Sequence, residues 1–172
     1  MEFSTALNLI IKGVEQTEDQ HWADLGAGGG LFTRALAQLL PSGSITAIDQ
    51  NLEALNIPEW HSTPVKLITQ TANFETFNFS SQYHGFLMAN SLHFVADAAQ
   101  LLGKLKQALL PGGRIIIVEY ESETPNRWVP YPVSFNKLKD VAARAGFTSV
   151  KKLHRTHSQY QAGGIYSGLL LF

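Results

Sequence analysis

Residues 21–30 read HWADLGAGGG, and LFTRALAQLL follows them. An apolar run ends on Asp24 and Leu25. Gly26, Gly28, Gly29 and Gly30 then crowd into one short turn. Beyond it Leu31, Phe32, Leu36, Leu39 and Leu40 recur at three- and four-residue steps, the helical period. The pattern predicts strand, tight turn, helix. Glycines open backbone angles closed to other residues and let a ligand approach the main chain. The first helical turn adds unpaired N–H groups pointing into the same space. A plain structural turn is the simpler alternative.

The spacing narrows the choice of ligand. A dinucleotide fingerprint needs a third small residue where this chain has Leu31, or Thr33 if counted from Gly28. Leu31 thus disfavours a nicotinamide-dependent reductase. What stands here is D-x-G-x-G-x-G, from Asp24 through Gly26, Gly28 and Gly30. An acid at the head of the turn suits a cationic ligand end better than a pyrophosphate. With this motif the chain resembles the class I S-adenosylmethionine-dependent methyltransferases.

The order of elements extends the resemblance. Residues 3–14 predict a helix, and 44–48 a second strand ending at Asp49. Strand, helix, strand implies a right-handed crossover and a parallel sheet. Asp49 can accept both hydroxyls of a ribose, or cap a helix starting at Asn51. The resemblance implies the ribose role, with Gln50 beside the adenine. Residues 65–69 predict a third strand. NFETFNF at 73–79 resembles the family's D-x-x-x-L-P-F segment, with Asn73 in the acid's place. That implies adenine contacts from the Asn73 side chain and the Phe74 backbone; an Asx-type turn competes for Asn73. Residues 85–89 predict the fourth strand, and NSLHF follows. By resemblance Asn90 lies at the methionine end of the cofactor and His93 near the acceptor, where a histidine can take a proton. A purely structural His93 is the alternative.

The C-terminal part completes the fold. Residues 97–109 predict an amphipathic helix, and Pro111, Gly112 and Gly113 a turn into the continuous apolar strand IIIVEY. Residues 121–135 hold Pro125, Pro130 and Pro132 among Trp128, Tyr131 and Phe135, which predicts a long irregular loop suited to an acceptor pocket. Ser134 caps a helix that Gly146 ends. Residues 148–153 and 165–172 predict strands six and seven. The link at 159–164 is too short for a crossover helix, so they form an antiparallel hairpin. The expected whole is one α/β domain over residues 1–172: a three-layer α/β/α sandwich with a seven-stranded, mostly parallel sheet and an antiparallel C-terminal strand.

Composition closes off other classes. The chain has no cysteine, which excludes disulfide and thiolate chemistry. The six histidines are scattered, with no i, i+4 pair and no metal constellation. No basic leader precedes the first apolar run and no stretch reaches membrane-spanning length, so a cytoplasmic protein is expected. Residues 1–100 carry three basic and ten acidic side chains, while 101–172 carry ten and four. A basic face for an anionic acceptor or RNA is one reading, and solvated edges the other. The Asn/Asp-Pro-Pro-Tyr signature of nucleobase amino-methylating enzymes is missing after strand four. The resemblance therefore implies methyl transfer from S-adenosylmethionine to a small-molecule acceptor, by a monomer or homodimer without membrane attachment. Nucleic acid stays open as an acceptor. A cofactor-binding subunit without chemistry is the alternative.

Overall fold

The computed structural model describes residues 1–52, 55, 63–158 and 163–172. Most of the segment after Asn51, which Asp49 could cap, and most of the 159–164 link fall outside these residues, as does His61. Seven strands form one sheet: β1 (Gln20–Leu25), β2 (Gly43–Asp49), β3 (Val65–Thr71), β4 (Tyr83–Ala89), β5 (Leu109–Tyr120), β6 (Ser149–Thr156) and β7 (Ile165–Leu171). Their spatial order is β3-β2-β1-β4-β5-β7-β6. β1 to β5 pair in parallel, and β7 runs antiparallel to both β5 and β6. The expected hairpin is present, with β7 seated inside the sheet and β6 at its edge.

The strand alternation sends side chains to two cores. Trp22, Ile45, Leu87, Ile116 and Val118 face one side, where α1 (Phe3–Ile10) and α2 (Leu31–Leu39) pack with Leu9, Ile10, Phe32 and Leu36. Ala23, Leu25, Phe86, Met88, Ile115 and Ile117 face the other, against Leu101, Leu102 and Leu105 of α3 (Ala98–Gln107) and Leu138, Val141 and Ala142 of α4 (Phe135–Arg144). The central strands are covered on both faces, as their unbroken apolar runs require. This is the three-layer α/β/α sandwich. Asp97 caps α3 by accepting from Gln100 N–H, and Ser134 caps α4 by accepting from Lys137 N–H.

Two local readings change. The helix at 3–14 tightens into a 3-10 turn at Ile11–Gly13. The Pro111–Gly113 turn does not precede β5 but lies within it. Leu109 pairs with Tyr83 and Arg114 with Gly85, so residues between them bulge out of the ladder. Gly112 accommodates the bulge at φ +79°.

β1 and β4 meet where Trp22 lies over Gly85. A Cβ at Gly85 would fall 2.4–2.6 Å from three atoms of the fully buried Trp22 ring. Gly85→Ala should cost about 1–3 kcal/mol through overpacking. Urea unfolding measures this, and unchanged stability would show that the Trp22 ring yields without strain.

Candidate functional site

The carboxyl ends of β1, β2 and β4 converge on the glycine turn. Gly26 N–H donates to Ile48 O (2.8 Å), which ties the turn to β2. Gly26, Gly28 and Gly30 all have positive φ. Gly30 is the left-handed residue that opens α2. A side chain at Gly26 would strike Ser91, whose hydroxyl donates to Leu25 O (2.7 Å). At Gly28 nothing among the described residues lies within 4 Å of the missing Cβ. Asp49 stands opposite. Its Oδ2 accepts from Gly28 N–H (2.9 Å) and its Oδ1 from Asn51 N–H (2.8 Å). Each oxygen keeps a lone-pair direction for a further donor.

A cavity of about 330 Å³ opens beside this pair. It is bordered by Gly26, Asp49, Gln50, Asn73, Phe74, Glu75, Asn90, Ser91 and Phe94. Six residues singled out for cofactor binding therefore share one wall. Gly28 reaches this group through Asp49, and Gly30 serves the helix start.

Asp24 sits elsewhere. Its side chain is 1% exposed and lies beneath the turn, where Oδ2 accepts from the Thr33 hydroxyl (2.6 Å). It does not border the cavity. Thr33 lies on the first turn of α2, which folds over the end of β1. Burial, reinforced by the neighbouring Asp49 charge and opposed by the Thr33 hydrogen bond, pushes the Asp24 carboxyl up to about 7. The carboxylate that borders the cavity at the turn is thus that of Asp49, which is half-buried.

The Asp24 environment makes stability depend on pH. A carboxyl raised from 3.8 to about 7 binds its proton more tightly in the fold. Its contribution is full below 3.8 and is lost as pH rises through about 7. Asp24→Asn removes the buried charge, so at pH 8 the variant should be more stable by on the order of 2–4 kcal/mol. At pH 4 the gain should vanish. Urea titrations at the two pH values check this, and a variant less stable at pH 8 would refute it.

Asn73 follows its structural alternative. Its Oδ1 accepts from Glu75 N–H (2.8 Å), closing an Asx turn, while its side chain still borders the cavity. Phe74 contributes its ring as well as its backbone, being packed into the core beside Gly26.

Asn90 is the hinge of the region. It adopts φ +53°, a left-handed conformation that asparagine tolerates. Its Oδ1 is buried and has no partner among the described residues. It borders the cavity beside Asp49 and two more. One, about 430 Å³, lies between Glu2, Thr5, Tyr120 and the end of β6. The other, about 560 Å³, is walled by Asn90, His93, Phe94, Tyr120, Asn126, Trp128 and Val129.

His93 belongs to that last wall and has a partner the sequence did not announce. Glu119, fully buried on β5, receives the His93 Nδ1 proton through Oε2 (2.8 Å) and the His93 backbone N–H through Oε1 (3.1 Å). A carboxylate can only accept, which assigns the proton to Nδ1 and leaves Nε2 as acceptor. Glu119 could have been noticed as the lone acid inside IIIVEY. Of the ten basic residues of the C-terminal part, Lys104, Lys106, Lys137 and Arg155 donate to backbone carbonyls. His21 and His84 meet at the amino ends of β1 and β4, away from the site. Among the described residues no cluster suits a metal ion and no helix is long and apolar enough to cross a membrane.

Comparison with known proteins decides the family. A profile described as a methyltransferase domain matches residues 23–115, just over half of the chain. The chain belongs to the methyltransferase domain family. Over 104 residues this methyltransferase domain is 32% identical to a trans-aconitate 2-methyltransferase of Pseudomonas aeruginosa, covering 60% of the chain and 37% of the relative. It spans between 32% and 44% of the length of the curated relatives it matches. Its fold matches an S-adenosylmethionine-dependent methyltransferase from Clostridium acetobutylicum (TM-score 0.70, 13% identity, 100% of this chain and 92% of that one). It also matches an arsenic(III) S-adenosylmethionine methyltransferase from Chlamydomonas reinhardtii (TM-score 0.67, 18% identity, 98% and 72%). The methyltransferase domain thus carries the fold that the glycine turn and the reversed last strand led one to expect.

Proposed function

We propose that this domain binds S-adenosylmethionine at the glycine turn and methylates a small-molecule acceptor held in the His93 cavity. One observation supports this above the rest: Asn90 joins the cavity beside Asp49 to the cavity beside His93. The residues fit the cofactor. Asp49 would hold the ribose hydroxyls with its remaining lone pairs, and Gln50, Asn73 and Phe74 would flank the adenine. Gly26 and Gly28 would give main-chain access. Asn90, with its unpartnered oxygen, would meet the methionine end. Asp24 would support the turn through Thr33 rather than touch the ligand. When bound, S-adenosylmethionine would supply an electrophilic methyl and a sulfonium that leaves as a neutral thioether. His93 would receive the acceptor's proton on Nε2 while Glu119 holds the ring and balances the charge that develops. The setting that goes with this reading is cytoplasmic.

Isothermal titration with S-adenosylhomocysteine tests the cofactor half. Saturable one-site binding is expected, with NADH giving none. Binding of NADH in its place would overturn the reading. Binding of S-adenosylhomocysteine with no turnover on any acceptor would leave a cofactor-binding subunit.

A further inference from the structure

The wall of the 560 Å³ cavity holds information about the acceptor that the family does not. Its volume lies in the range of small-molecule sites, about 300–1,000 Å³. Phe94 is 55% exposed and Trp128 74% exposed. Large aromatic surface left open beside a cavity marks a recognition site more often than chance. The loop presenting Trp128 is built and fastened. Asn126 Oδ1 accepts from the N–H groups of Trp128 (2.8 Å) and Val129 (3.0 Å). Asn126 and Val129 also form a two-residue bridge. Tyr131 N–H donates to His93 O (3.0 Å), so the aromatic loop is tied to the backbone of the proton acceptor itself.

The charges around the cavity are equally selective. No lysine or arginine borders it. Arg127 does not border the cavity; its guanidinium lies 5.3 Å from the centroid of the Trp128 ring. Glu119 lies buried behind His93. A polyanionic acceptor would find no lysine or arginine on the wall, and the charge behind His93 is negative. Acidity of the acceptor is constrained as well. A phenolic hydroxyl titrates near 10, as tyrosine does, whereas an unactivated alcohol hydroxyl, like water, holds its proton far more tightly. Proton transfer to an imidazole is within reach for the first and far uphill for the second.

Resting on the methyl-transfer reading above, we infer that the acceptor is a flat arene without carboxylates that bears a phenol-type hydroxyl. Its ring lies between Phe94 and Trp128, and its hydroxyl faces His93. The phenolic O–H bond breaks with both electrons staying on oxygen, and the proton goes to His93 Nε2. Tricarboxylates such as trans-aconitate are rejected, so this domain departs from the substrate named for the Pseudomonas relative.

4-Nitrophenol tests this, because its absorbance distinguishes phenol from phenolate. It is titrated into the protein with and without S-adenosylhomocysteine, whose own binding is followed by calorimetry. Saturable binding with a shift towards the phenolate spectrum is expected. Trp128→Ala, at an exposed position, should weaken that binding tenfold or more and leave S-adenosylhomocysteine affinity unchanged. His93→Gln should keep binding within a few-fold and lose the spectral shift. trans-Aconitate should not displace the probe. Absent saturation, unchanged affinity in Trp128→Ala, or displacement by trans-aconitate would each overturn the inference. A protein that binds the phenol but not S-adenosylhomocysteine would overturn the cofactor reading instead, which keeps the two failures apart.

Discussion

His93→Gln should lower kcat by about 10²–10⁴-fold, the range lost with a positioned proton acceptor. S-adenosylhomocysteine affinity should stay within a few-fold, because His93 does not border the cavity beside Asp49. The expectation comes from the His93–Glu119 pair. Nδ1 is committed to a buried carboxylate at 2.8 Å, so Nε2 is the basic atom, on a ring only 2% exposed. Glu119 is a positioning residue and acts through His93. In Glu119→Gln the amide NH₂ can donate to Nδ1, which shifts the proton to Nε2 and makes it useless as a base. That variant should lose at least ~10²-fold in kcat, following the logic of a misassigned tautomer, with KM nearly unchanged. Its pH–rate profile should change shape, which loss of packing alone would not produce. Steady-state kinetics across pH checks both variants. Unaltered kcat in His93→Gln would reduce the pair to scaffold and leave methyl transfer to proximity and orientation.

Asp49→Ala should weaken S-adenosylhomocysteine binding by about 10²–10³-fold in calorimetry. Hydrogen bonds to a charged group contribute ~1.5–3 kcal/mol each, and two ribose hydroxyls are at stake. Two such bonds amount to ~3–6 kcal/mol, and the lower part of that range, ~3–4 kcal/mol, is that loss in affinity. The substitution also frees Gly28 N–H, which Asp49 Oδ2 now accepts at 2.9 Å. Asp49→Asn can keep the Gly28 bond through its amide oxygen and should lose less. The ordering Asp, Asn, Ala separates ribose recognition from support of the turn. Affinity in Asp49→Ala within threefold of the parent would remove Asp49 from the ligand and leave it a loop staple.

What could be read from the sequence was what is local in it. The β1–turn–α2 unit, the end of β2 at Asp49 and the apolar β5 each occupy a short stretch with its own periodicity. The reversed β7 was legible because a short link allows little else. Features set by contacts between distant segments were not. Asp24 looked like a free charge until Thr33, nine residues on, closed over it in the buried space under α2. Glu119 lies 26 residues from His93, and its burial depends on β5 lying next to β4. Asn73 was balanced between ligand and turn, and the turn holds its oxygen in this structure because Glu75 N–H is close by in the chain. The early start of β5 was hidden because a bulge at Gly112 looks, in sequence, like the end of a loop.

The antiparallel insertion of β7 gives the domain a polarity. Tyr120 pairs with Ile165 at the site end of the sheet, and Ile115 with Leu170 towards the opposite end. Phe172 therefore leaves the sheet at the pole facing away from Asn90, whereas Met1 and Glu2 stand at its rim. Chain added after Phe172 would emerge at the far pole, and chain added before Met1 would start beside the 430 Å³ cavity that Asn90 borders. A tether for surface immobilisation belongs on the first of these, and a graft meant to reshape what enters belongs on the second.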